Sequence, residues 1–113
     1  VASLEEKVDI TRNISTIEWL KAELVESVAA LFRAAIQNNE ETLTDALATM
    51  VVTCYILGKR LGLDYNDLEE RLVKKLQTHI NSGHQLEEWY GDLSALTLHL
   101  SNRSYQLPPG DAK

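Results

Sequence analysis

Proline is almost missing from this 113-residue chain: the two present stand side by side at Pro108 and Pro109, and glycine appears five times. Most of the sequence is therefore free to form long uninterrupted elements. A single cysteine, Cys54, excludes an internal disulfide framework and fits a reducing, cytoplasmic compartment; set in an apolar run, it reads as a small core residue. The longest near-apolar run, Met50 to Leu57, is too short to span a bilayer, and the polar, acidic residues 1–15 have no signal-peptide pattern. Positive charge is scarce, with 11 Lys and Arg against 17 Asp and Glu, for a net charge of −6. Nucleic acid and anionic membrane surfaces reward clustered Lys and Arg, so neither is an expected partner. A bound cation can invert the local charge, which leaves a nucleotide ligand open. The chain has no glycine-rich phosphate loop, no Ser–His–Asp order and no cysteine pair. His79, His84 and His99 have no metal-type pairing and read as solvent-exposed.

What is present is helical periodicity, with no segment alternating at period two. The expected class is all-α: a bundle of four main helices in one domain over residues 1–100, followed by a disordered tail at 101–113. Residues 1–14 give a short first helix, with Ser3 and Glu6 as a capping box. Ser15 to Ile36 is the clearest helix. Ser15 with Glu18 makes a capping box, Ile14 with Trp19 a hydrophobic staple, and Leu20, Leu24, Val28, Leu31 and Ala35 an apolar stripe widened by Val25, Ala29, Phe32 and Ile36. Gln37-Asn38-Asn39 ends it.

The next helix, about Glu40 to Leu61, is apolar nearly all round, through Leu43, Leu47, Met50, Cys54, Leu57 and Leu61 with Val51, Val52 and Ile56. A helix of that kind needs cover on every side, more than a chain this small supplies, so a homodimer or higher oligomer is expected. Gly62 stops this helix, Asn66 with Glu69 caps the next, and Asn81-Ser82-Gly83 ends that one. A last helix runs from about Gln85 to Leu100 with Gly91 as a mild weakness, and Trp19, Trp89 and Tyr90 read as core or interface anchors.

The candidate chemistry is carboxylate chemistry. Glu23 and Glu26, three residues apart, lie about 60° from each other on the helical wheel, off the apolar stripe. Two carboxylates on one face either hold a hard cation such as Mg²⁺ or face water, and such pairs are common on solvated helices. Asp45 stands early on the following helix and joins them only if the two helices are staggered; otherwise it is a first-turn acid favoured by the helix dipole. Lys74 and Lys75 reach a phosphate or line a solvated edge.

The segments Ile17 to Leu24 (I-E-W-L-K-A-E-L) and Glu88 to Leu93 (E-W-Y-G-D-L), with Arg60-Leu61-Gly62-Leu63-Asp64 between them, resemble the short members of the MazG-like family. That family falls within the all-α nucleoside triphosphate pyrophosphohydrolases, and the likeness covers about residues 9–100. It implies a dimeric helical bundle and Mg²⁺-dependent cleavage of a nucleotide between its α- and β-phosphates. The wider family carries E-E-x-x-E on one helix and E-x-x-D on the next. Here the first motif reads Ala22-Glu23-Leu24-Val25-Glu26, keeping two of three acids, and the second falls on Ala46-Leu47-Ala48-Thr49, keeping neither. Asp45 stands one place before the missing glutamate, about 100° away on the wheel. Lys75 matches a family lysine, and the asparagine expected four residues later is His79. The resemblance thus implies Glu23, Glu26 and Asp45 as metal ligands and Lys75 as a phosphate ligand, in an enzyme with a reduced site. The alternative is a non-catalytic dimeric interaction or nucleotide-sensing protein on the same fold.

Overall fold

The computed structural model describes residues 3–106, with side chains described as far as Arg103. Its elements are α1 (Leu4–Gln37), α2 (Glu40–Arg60), α3 (Tyr65–Asn81), α4 (Gln85–Tyr90) and α5 (Asp92–Gln106), with no strand among the described residues. Two compact units emerge, residues 1–68 and 69–113.

In the first unit α1 runs unbroken for 34 residues, about 50 Å at 1.5 Å per residue. The expected pause at Ser15 does not occur, and Ser15 lies mid-helix. No proline or glycine interrupts this stretch, so a cap-like Ser–Glu pair is not enough to start a new helix. The working N-cap is Ser3, whose hydroxyl accepts from the Glu6 N–H at 3.1 Å, as the Ser3–Glu6 reading expects. Asn38 ends the helix in the left-handed conformation at φ 55°, and Asn39 caps α2 by accepting from the Thr42 N–H.

The helices α1 and α2 pack on each other as a hairpin. The buried positions of α1 are Leu20, Ser27 and Ala34, and those of α2 are Ala46 and Thr53, all at intervals of seven. A seven-residue repeat is the spacing of a left-handed supercoiled pair. Four of the five side chains are small, which lets the two backbones approach closely. Ser27 stays satisfied by donating its hydroxyl to Leu24 O at 2.8 Å. At the open end Asn13 donates to Arg60 O at 3.2 Å, and Arg60 donates back to the Asn13 side-chain oxygen at 3.4 Å.

This seam leaves much of the apolar surface uncovered. Val25, Phe32 and Ile36 on α1, and Leu47, Val51, Val52 and Ile56 on α2, are exposed, Phe32 at 63% and Ile36 at 86%. Cys54 is exposed rather than in the core, because the α1-facing line of α2 runs through Ala46 and Thr53 instead. After α2, Gly62 takes φ 103° and the Leu63 N–H returns to Gly58 O at 2.9 Å. The Asp64 N–H donates to the Asp67 carboxylate at 2.9 Å at the start of α3, where Asn66 and Glu69 were expected to cap.

The second unit differs from the expected single last helix. Gly91, left-handed at φ 68°, divides it into α4 and α5. The split is held by Glu87, whose carboxylate accepts from both the Ser94 N–H, at 2.9 Å, and the Ser94 hydroxyl. These bonds, the hydroxyl's foremost, hold the Glu87 carboxyl below its ordinary value. Arg103 of α5 pairs with Glu69 of α3 at 3.0 Å, and Leu76 is this unit's buried apolar residue. Helix α5 runs on through residues 101–106, where a disordered tail was expected; residues 107–113 of that tail lie outside the described part.

Candidate functional site

The first-motif acids separate. Glu26 is exposed, and its Oε1 accepts from Arg33 Nη2 at 2.9 Å, two turns along the same helix. Glu23 lies at the edge of the α1–α2 seam, half-buried rather than off the stripe. It opens into a shallow recess of about 380 Å³ walled by Trp19, Leu20, Val52 and Ile56, with Ala48, Thr49 and Thr53 beside it. Trp19 is 61% exposed, so it forms a wall of this recess rather than a core anchor.

Helix α2 contributes no carboxylate to that recess. Ala46, where the family pattern has glutamate, is buried in the seam at 5% exposure, and Thr49, where it has aspartate, is half-buried and lines the recess. A carboxylate at position 46 would sit in the helix–helix contact, where charge is kept only if a cation or partner compensates it. With alanine there, the hairpin closes without one. Asp45 is exposed and lines a separate open recess of about 840 Å³ with Glu40, Glu41 and Thr44. Ala48 borders both recesses, which makes them neighbours. Lys75 is exposed on α3, in the second unit.

Sequence reasoning grouped Glu23, Glu26 and Asp45 as a ligand set. Among the described residues no three His, Cys, Asp or Glu side chains come together in a group able to hold a metal ion. Mg²⁺ asks for near-octahedral oxygen donors at about 2.0–2.1 Å. Among the described residues, the other polar side chains lining the Glu23 recess are Thr49 and Thr53, and Glu26 is engaged by Arg33. These residues do not fit a resident Mg²⁺. The recess itself, with Thr49 and Thr53 beside Glu23, was not foreseen, because small polar side chains carry little weight in a periodicity reading.

The described residues form an all-α fold led by a long antiparallel hairpin with a carboxylate at its seam. The chain belongs to the MazG-like family, whose model matches residues 10–93. No curated protein and no solved structure matches it. No described helix is long and apolar enough to cross a membrane.

Proposed function

We propose that this chain is a nucleotide-sensing, non-hydrolysing member of the MazG-like family that works as a cytoplasmic homodimer. The observation that carries this reading is Ala46 buried in the α1–α2 seam, where a hydrolytic member holds a metal-binding carboxylate. Metal-templated attack of water on a phosphoryl group needs the cation fixed by several hard ligands. What remains at the seam is an apolar recess with one carboxylate and an aromatic wall. It suits the uncharged part of a nucleotide: Trp19 offers a face for a base, and Glu23 an acceptor for an exocyclic amino group.

Dimerisation is supported by the exposed apolar line of Val25, Phe32 and Ile36, an area of the kind that monomers seldom leave uncovered. The test of sensing is a thermal-shift panel of nucleosides and nucleotides with and without Mg²⁺. Stabilisation that persists in EDTA and disappears in Trp19→Ala is expected. No shift with any nucleoside or nucleotide overturns the reading.

A second reading, Mg²⁺-dependent hydrolysis of a nucleoside triphosphate to monophosphate and pyrophosphate, is favoured by one observation. Ala48 borders both the Glu23 recess and the Asp45 recess, so a ligand spanning both meets Glu23 together with Asp45, Glu40 and Glu41.

A further inference from the structure

Two corners of the chain share one construction, and one of them is built on an imidazole. At the α1–α2 corner the Asn39 N–H donates back to Ala34 O at 3.2 Å, and the Asn39 side-chain oxygen accepts from the Thr42 N–H at 3.1 Å. Asn39 thus bonds back to α1, just past its Asn38 cap, and starts α2. At the α3–α4 corner Gly83 is left-handed at φ 73°, and the His84 N–H donates back to His79 O at 3.0 Å. The His84 Nδ1 then accepts from the Leu86 N–H at 3.1 Å. His84 closes α3 and caps α4.

A histidine nitrogen accepts a hydrogen bond only while it carries no proton, so this cap requires neutral imidazole with its hydrogen on Nε2. Asn39 does the same work at any pH. The surroundings of His84 are mixed. The His79 ring on α3 lies 5.0 Å away, edge-on at 74°, so a second positive charge would oppose the first. Lys75 stands one turn before His79 on the same helix. On α4, Glu88 reaches back towards Gly83, its Oε1 3.1 Å from where a Cβ on that glycine would stand. The other nearby acid, Glu87, is bound to Ser94 of α5. Among the described residues the acceptor of the Leu86 N–H is His84 Nδ1.

We propose that His84 is a proton-operated latch on the α3–α4 corner: neutral, it joins the two helices; protonated at Nδ1, it releases the Leu86 N–H and the first turn of α4 frays. A six-residue helix has few other means of holding itself together. The latch governs the placement of Trp89 and Tyr90, exposed neighbours on α4 whose rings meet edge-on at 6.3 Å. The same tautomer argument separates the latch from a metal site. With Nδ1 accepting and Nε2 carrying hydrogen, His84 offers no lone pair to a cation, so the His79–His84 pair is not a chelate while the latch is closed.

The experiment measures amide–solvent exchange of Leu86 and Thr42 by NMR on the full chain between pH 7.5 and 5.5, corrected for intrinsic rates. Leu86 protection is expected to fall several-fold on acidification while Thr42 protection holds, and the Trp89 indole N–H signal to shift with the same midpoint. In His84→Asp, whose carboxylate stays ionised over the interval, Leu86 protection is expected to stay flat. Unchanged Leu86 protection in the unsubstituted chain overturns the proposal, and so does an equal loss in His84→Asp.

Discussion

The Glu26 carboxylate is bound to Arg33 at 2.9 Å, two turns along its own helix, while Glu23 opens into a recess against α2. The pair that looked in sequence like two ligands of one cation is divided between an exposed ion pair and a helix seam. Arg33→Ala tests how much that pair matters. Both side chains are more than half exposed, so the expected cost is below about 1 kcal/mol. A melting temperature within a few degrees of the parent, with no new Mg²⁺ response, is the expected result. A Mg²⁺-dependent rise in melting temperature would show that Arg33 alone keeps a cation out.

Restoring the family's second motif is the complementary test. Ala46→Glu places an unpaired carboxylate in the α1–α2 seam at an expected cost of about 2–4 kcal/mol, read as a lower urea midpoint. Combined with Thr49→Asp, the destabilisation is expected to be relieved by Mg²⁺ but not by Na⁺ at equal ionic strength, because Glu23 then has carboxylates opposite it.

How much of this was readable in advance divides by residue size. The helical class, the cap at Ser3, the end of α1 at Asn38 and the stops at Gly62 and Gly83 follow from local chemistry, and the sequence shows each of them; the Asn39 cap of α2 appears only in the structure. The seam does not follow so directly. Leu47 and Phe32 draw the eye as core residues, yet the helices meet on Ser27, Ala34, Ala46 and Thr53, because close approach rewards small side chains over apolar ones. The break at Gly91 was underrated for a related reason: its left-handed φ is supported by Glu87 reaching Ser94 seven residues on, a tertiary bond with no local motif. In the candidate site, the missing carboxylates at 46 and 49 were legible, and the Arg33 partner of Glu26 was not.

Glu87 gives a pH prediction whose sign is fixed. Bonds from Ser94 lower its carboxyl below the ordinary value of 4.5, so the ionised form is favoured by folding. That contribution is present above about pH 4.5 and is lost as pH falls through the lowered value in the folded chain. Glu87→Gln is expected to melt lower at pH 7 and to show a shallower decline between pH 5 and 3. Parallel melting curves across that range would remove Glu87 from the account of acid sensitivity.

Association is testable on the uncovered face of α1. Phe32→Glu puts charge into the exposed line of Val25, Phe32 and Ile36. Light scattering at micromolar concentration is expected to give a dimer for the parent and a monomer of retained helicity for the variant. A parent chain that is already monomeric contradicts the homodimer.

Pyrophosphate release most directly tests whether the fold has kept the nucleotide and lost the reaction. The assay uses the full chain with Mg²⁺ and a panel of ribo- and deoxyribonucleoside triphosphates, alongside Glu23→Gln. The expected result is release no faster than buffer for every nucleotide, in both proteins. Release by the parent chain that Glu23→Gln abolishes would contradict the account and establish a hydrolase built on the reduced site.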